Sequence, residues 1–492
     1  MERPAAASSQ DDWEDPRHSP EQDTLLASGK QVPARVALTN PYGPYRDLPF
    51  LLLFISHLVI VLSLAATQGP SFLRAHLTGA EVISPMSRDQ LGALTGIVVL
   101  CAVLTASVAI ATLRRWADRI VPLALYSAIA VECVVMALAF ATGQILLGIL
   151  LAIFIAFTIV YAILVRKRIR LAAVMLEMSA DIVNAFTGPV YVAFAFMVLE
   201  LFWVAAWGLM VLSVMTGDRG LRLQEQMGSL PVFLCLISLF WTVEVISNIV
   251  HVTAAGVTGS WWFFHSARIP TANALKRATT TSLGSICFGS LVVAVLSALR
   301  VILQPAKDSE RSCAGVPIVH ILPAGATSTN NPYLQEIMTC IVDFVESLAK
   351  MFNLYAFSRV AISGADFITS GKQTAELFRV KGLDVIINDD LTGMASRIPW
   401  RDDPLRPASD TSAALACCAL LNVPESVAPP AVLIAGLVGF LIVSLVVNVL
   451  RGCVATMFVC YADDSAALRD SHPERFYKLH DAMRRLYPNV IV

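Results

Sequence analysis

Four side chains that could bind or relay charge interrupt an otherwise apolar run. Within FWTVEVISNIVHVTAAGVTGSWWFF, Phe240 to Phe264, stand Trp241, Glu244, Asn248 and His251. At about 100° per residue they fall within an arc of about 80° on an α-helix. An ionisable group at mid-membrane costs about 2.5–3.5 kcal/mol on insertion scales, so it faces a bundle interior or a water-filled cavity. Two readings fit this stripe: the wall of a polar path, or interhelical glue in which Asn and His hydrogen-bond a neighbouring helix. Glu200, Trp203 and Trp207 repeat the combination of an acid with indoles on the preceding apolar segment, again on one face by spacing. Such sets suit a cation with no hydrogen to donate. A quaternary ammonium is held by ring faces, at about 0.5–2 kcal/mol per ring, and by a nearby negative charge. The candidate substrate-binding residues are therefore Trp241, Glu244, Asn248, Trp203, Glu200 and Trp207. Against this stands the habit of Trp to mark a membrane interface, the reading favoured for Trp261 and Trp262.

Other residues carry less. Glu177 and Asp181 read as cation relays or as salt-bridge partners of Arg166 or Arg170. His57 and His251 read as titrating groups or as satisfied structural histidines. Gly284, Ser285 and Gly289 are small residues at close-packing spacing. The stretch SGADFITSGK, Ser363–Lys372, lacks the order of a phosphate-binding loop. No catalytic triad, paired-carboxylate, metal-ligand or cofactor arrangement is legible, so the sequence argues for no enzyme, no metal and no cofactor. The 10 cysteines include no CxxC spacing, and no N-x-S/T acceptor occurs.

The elements that must position these residues are membrane helices. Of 492 residues, 56% are hydrophobic and 15% charged, with a mean hydropathy of +0.66; globular domains carry about 25% charged residues. The sequence predicts an all-α integral membrane protein with the lipid bilayer as its environment. A net charge of −1 gives no basic excess for nucleic acid. Residues 1–47 read as a disordered, polar, Pro- and Ser-rich cytoplasmic tail, too long ahead of the first apolar run for a cleavable signal. Spans one to eight occupy residues 48–303: about Leu48–Ala66, Leu91–Leu113, Ile120–Ala141, Ile145–Val165, Leu171–Thr187, Val190–Met215, Pro231–Val257 and Thr279–Leu303. The Gly188–Pro189 pair breaks the tract 171–215, and the fifth segment either crosses or is an interfacial or re-entrant helix. Residues 304–407 form a cytoplasmic loop whose middle, Tyr333–Val360, is an amphipathic helix packed at the membrane surface or under the bundle. Spans nine and ten fall in 408–460, a weak Ala413–Val423 and a strong Ala431–Cys460; residues 461–492 are a cytoplasmic tail. The basic clusters Arg114–Arg119 and Arg166–Arg170 place both termini inside.

Several blocks resemble the choline-transporter-like family of solute carriers, most closely its fungal pH-nine-sensitive branch. They are WTVEVISNIVHVTAAGVTGSWWF at Trp241–Phe263, ALKRATTTSLGSICFGSLVVA at Ala274–Ala294, and FNLYAFSRVAISGADFITSGKQTAELFRVKGLDVIINDDL at Phe352–Leu391. CVATMFVCYADD at Cys453–Asp464 and HPERF at His472–Phe476 complete them. The likeness departs after Leu391, where RIPWRDDPLRP, Arg397–Pro407, intervenes before the short apolar run. The resemblance implies ten transmembrane helices with cytoplasmic termini. It implies alternating-access transport of choline or a related organic cation across the plasma membrane or an organelle membrane. A different solute, such as ethanolamine or thiamine, or a non-transporting membrane scaffold docking through the long loop, stands as the alternative. The oligomeric state is not legible.

Overall fold

The computed structural model describes residues 44–77, 126–127, 129–215, 230–264, 270–303, 332–381 and 448–486. Among them every regular element is an α-helix and there is no strand. The helices are α1 Leu48–Leu77, α2 Ile129–Ala141, α3 Ile145–Ala185, α4 Gly188–Met215, α5 Leu230–Phe263, α6 Pro270–Thr279, α7 Leu283–Leu303, α8 Pro332–Ser363 and α9 Phe367–Lys381. Near the C-terminus follow α10 over residues 448–463, α11 Ser465–Ser471 and α12 Pro473–Leu486. The expected second span, the ninth and the first part of the tenth lie outside the described residues.

Among the described residues four helices carry windows long and apolar enough to cross a membrane: Leu48–Pro70, Gly188–Val211, Leu230–Phe263 and Leu283–Leu303. They correspond to the expected first, sixth, seventh and eighth spans. The fifth differs. Residues 145–185 form one helix of 41 residues, about 60 Å long, or twice the hydrocarbon thickness. The RKRIR cluster lies within it, not at its end. Arg and Lys are good helix formers and no Gly or Pro interrupts the cluster, so charge alone does not end the helix. The break comes at Phe186–Thr187, with Gly188–Pro189 in the first turn of α4, where proline costs no backbone bond.

The second difference is α8. The expected amphipathic helix is present, at Pro332–Ser363, but it lies in the bundle against α5, α7 and α9. Tyr355, Ala356, Phe357, Val360, Ala361 and Ile362 are buried. Its charges are tolerated there because they have partners. Glu346 accepts from Ser297 Oγ at 2.8 Å, from Arg300 Nη1 at 2.9 Å and from Lys350 Nζ at 2.7 Å. Arg359 Nη1 meets Asp463 Oδ1 at 2.9 Å. A charge that would be prohibitive alone in hydrocarbon is tolerable when paired and hydrogen-bonded.

Contacts at the helix ends fix which ends lie together. Arg46 N–H donates to the Thr281 carbonyl at 3.1 Å. Asp47 Oδ2 accepts from Ser285 Oγ at 2.6 Å and from the Phe367 N–H at 3.2 Å. The start of α1 thus meets the starts of α7 and α9. Trp262 Nε1 donates to the Asp464 carbonyl at 2.9 Å, and Ser471 Oγ to the Trp262 carbonyl at 3.0 Å. With Arg359 on Asp463, the ends of α5, α8 and α10 share that same end of the bundle. The far end holds the end of α7 and the start of α8, joined by Arg300 Nε on Asp343 Oδ1 at 3.4 Å. Seven crossings ahead of α7 would have put the starts of α1 and α7 on opposite faces; the contacts bring them together, in keeping with residues 171–185 being a continuation of α3.

Close approach at α7 rests on two glycines. A Cβ on Gly284 would fall 2.1 Å from the Arg46 carbonyl oxygen, and one on Gly289 2.6 Å from the rings of Phe357 and Phe367. The largest core cluster gathers at the shared end. Met175, Met178 and Ile182 of α3, Trp262 of α5, Phe378 of α9, Tyr461 of α10 and Leu479 of α12 belong to it.

Candidate functional site

The predicted stripe divides when the neighbours of α5 are in place. Glu244, Asn248 and His251 line a cavity of about 210 Å³ together with Ser247, Val293 of α7, Lys350, Asn353 and Leu354 of α8, and Asn448 and Arg451 of α10. Val293 is the middle residue of the 21-residue α7, so the cavity sits at mid-height of a helix long enough to span. That volume equals the liquid share of about seven waters, which suits a small solute and not a drug-sized one.

Several of the polar groups are anchored. Asn248 Nδ2 donates to Ser290 Oγ of α7 at 3.0 Å. Asn353 Nδ2 donates to the Gly289 carbonyl at 2.8 Å, and Asn448 Nδ2 to Ser247 Oγ at 3.2 Å. His251 Nε2 lies 3.2 Å from the Leu354 carbonyl oxygen. A carbonyl only accepts, so the ring donates there. Ser358 Oγ, 3.3 Å from the same nitrogen, receives Thr456 Oγ1 at 3.1 Å. Asn248 and His251 therefore act as glue between helices while also facing the cavity, so the two readings of the stripe coexist. Glu244 lies close enough to Asn248, Lys350, Glu346 and Arg451 to be influenced by them. These groups can solvate and orient a small charged solute.

The indoles lie elsewhere. Trp241 is buried and donates Nε1–H to the Cys287 carbonyl of α7 at 2.9 Å. Its ring stacks on His57 with centroids 5.3 Å apart and meets Phe54 edge-on at 5.1 Å. Trp203 contacts the same His57 at 5.7 Å, and Trp207 donates to the Cys235 carbonyl at 3.1 Å. Glu200 is buried on α4, near enough to Glu244 for the two carboxylates to act on one another. Of the six residues singled out from spacing, Glu244 and Asn248 line the cavity. Trp241, Trp203 and Trp207 pack the seam between α1, α4, α5 and α7, where a large flat ring is worth more as buried area than as a wall. His57 likewise has a structural partner, Ser238 Oγ at 2.7 Å.

Two further expectations are redirected. Glu177 and Asp181 pair with α12: Arg475 bridges both, meeting Asp181 Oδ2 at 2.6 Å, and Lys478 Nζ lies 3.3 Å from Glu177. Trp261 and Trp262 are interior residues. Trp261 stacks on His472 with centroids 4.0 Å apart, and Trp262 is fully buried.

Sequence reasoning missed Lys350, Asn353, Asn448 and Arg451. The first two sit on α8, which its amphipathic pattern places outside the bundle. Asn448 and Arg451 are an amide and a charge inside the strong apolar run Ala431–Cys460, the same signal that exposes Glu244.

A family model described as plasma-membrane choline transporter matches residues 149–466. A CTL-like protein of Dictyostelium discoideum is 27% identical over 353 residues, covering 70% of this chain and 58% of that protein. Protein PNS1 of Saccharomyces cerevisiae is 31% identical over 258 residues, covering 51% and 45%. Protein PNS1 of Cryptococcus neoformans is 27% identical over 356 residues, covering 66% and 59%. The chain spans about half the length of the curated relatives it matches.

Proposed function

Because the chain belongs to the choline transporter-like family, we propose that it is a carrier that moves choline or a related small organic ammonium solute across a membrane by alternating access. The observation that carries this reading is the polar cavity at mid-height of the bundle, with the Glu244 carboxylate on its wall. An acid kept there at insertion cost has a use for its charge, and an ammonium group beside it would pair with it directly. Closing and opening the two ends of α5, α7, α8 and α10 around that point would expose the solute to one side at a time.

About ten crossings fit a bilayer reading, with α8 taking the place that residues 171–187 held in the sequence reading. The shared end of the bundle carries Lys276, Arg277, Arg379, Lys381, Arg475 and Lys478, which supports a cytoplasmic assignment for it. Both tails then lie inside, and the segment between α7 and α8 lies outside, at the plasma membrane that the family description names.

The test is uptake of radiolabelled choline by vesicles reconstituted with the full chain. Glu244→Gln keeps the shape and removes the charge. Uptake per correctly folded molecule is expected to fall by about tenfold or more, the scale of one charge-assisted contact. Normal uptake by Glu244→Gln would remove the carboxylate from the site.

A further inference from the structure

The cavity does not have the make-up of a cage for a bare cation. Among the described residues none of its lining side chains is Trp, Tyr or Phe, and quaternary ammonium recognition rests on such ring faces. The nearby indoles are turned away, with Trp241 and Trp207 each committed to a backbone carbonyl. In their place stand charges of both signs: Glu244 on α5, and Lys350 and Arg451 on α8 and α10. Lys350 already holds Glu346 at 2.7 Å. Among the described residues Arg451 has no such carboxylate. It lines the same cavity as Glu244 and acts on it by charge, without a direct ion pair between them. A guanidinium offers five donors and matches the paired oxygens of a carboxylate or phosphate. A simple cation placed in this cavity would gain from Glu244 and lose against two resident cations.

Resting on the carrier reading above, we propose that this cavity takes a small zwitterion, with its ammonium end at Glu244 and an anionic oxygen group, carboxylate or phosphate, between Lys350 and Arg451. One molecule would then satisfy both walls. Opposite charges that line one cavity without pairing directly with each other are the arrangement such a solute requires. Asn248 and Asn353, both held by α7, are placed to hydrogen-bond the polar groups between the two ends.

Three probes share one trimethylammonium group: choline, glycine betaine and phosphocholine. The first readout is thermal stabilisation of the detergent-solubilised full chain at equal probe concentration, which needs no transport. Betaine, phosphocholine or both are expected to raise the melting temperature more than choline, and which of the two does so separates carboxylate from phosphate. In Arg451→Gln the zwitterion's advantage over choline is expected to shrink about tenfold in apparent affinity, and Arg451→Lys is expected to restore part of it. If choline stabilises as much as either zwitterion, or if Arg451→Gln leaves the ratio unchanged, the zwitterion assignment is overturned. The second readout is vesicle uptake of the same three compounds. Uptake of choline without either zwitterion overturns the inference and leaves the carrier reading standing. Zwitterion-selective stabilisation without uptake of any probe keeps the site and removes the carrier.

Discussion

A single residue in this chain gains its meaning from whatever faces it. Glu244 and Asn248 were legible in sequence because an acid and an amide inside an apolar run have few acceptable surroundings. Trp241 was equally conspicuous, yet its ring fills a seam against His57 and Phe54, a role that spacing does not distinguish from a cavity wall. Gly289 shows the same dependence. Its spacing marks it as a packing residue, and the rings of Phe357 and Phe367 stand 2.6 Å from where its Cβ would be. Neither ring can retreat easily, since both belong to the buried core. Gly289→Ala is expected to cost about 1–3 kcal/mol, the usual scale of overpacking. Gly208→Ala is the matched control, because nothing lies within 4 Å of its added methyl. Melting temperatures of the two purified variants should separate clearly; equal values would mean that the aromatic pair gives way.

At the scale of elements, continuity is harder to read than composition. The α3 helix passes through RKRIR because nothing in that cluster breaks a helix, whereas the sequence reading treated a run of charge as an end. Beyond Arg170 the extended helix receives α12. Burial alone would raise the Glu177 carboxyl, but hydrogen bonds and charge from Arg475 and Lys478 outweigh this and hold it below the ordinary value of 4.5. A group whose folded pKa is depressed contributes stability that is present above its unfolded pKa and is lost as pH falls through the folded one. The α3–α12 contact is therefore expected to hold from neutral pH down to about 4.5 and to weaken below it. Limited proteolysis of the C-terminal segment should rise in that acid window. In Glu177→Gln, cleavage should already be raised at neutral pH and vary less with acid. A variant as protected as the parent at neutral pH would show that Asp181 alone holds Arg475. Since Glu177 is about one-third exposed, the effect should appear as local opening, with global unfolding unchanged.

For the whole molecule, the count of crossings depends on one helix that hydropathy rejects. The α8 helix carries Asp343, Glu346, Lys350 and Arg359, so composition placed it beside the membrane. The partners that make its burial possible, Ser297, Arg300 and Asp463, are remote in sequence, and no local window contains them. Placing α8 across the bilayer and leaving residues 171–185 on the cytoplasmic side keeps both tails on one face. It also moves the segment between α7 and α8 to the other face. Glycan insertion gives a clean test, because the sequence contains no N-x-S/T acceptor of its own. Ala326→Asn creates Asn-Thr-Ser before α8, and Asp390→Thr creates Asn-Asp-Thr after α9. Glycosylation reports the lumenal or outer face. Expressed in a eukaryotic host, Ala326→Asn is expected to gain a glycan removable by endoglycosidase, and Asp390→Thr to gain none. Modification of Asp390→Thr alone would invert the bundle. Modification of both would return residues 304–407 to one face, and α8 would then not cross. The zwitterion cavity could not survive that last outcome, because Lys350 and Asn353 reach it only from a helix that runs through the bundle.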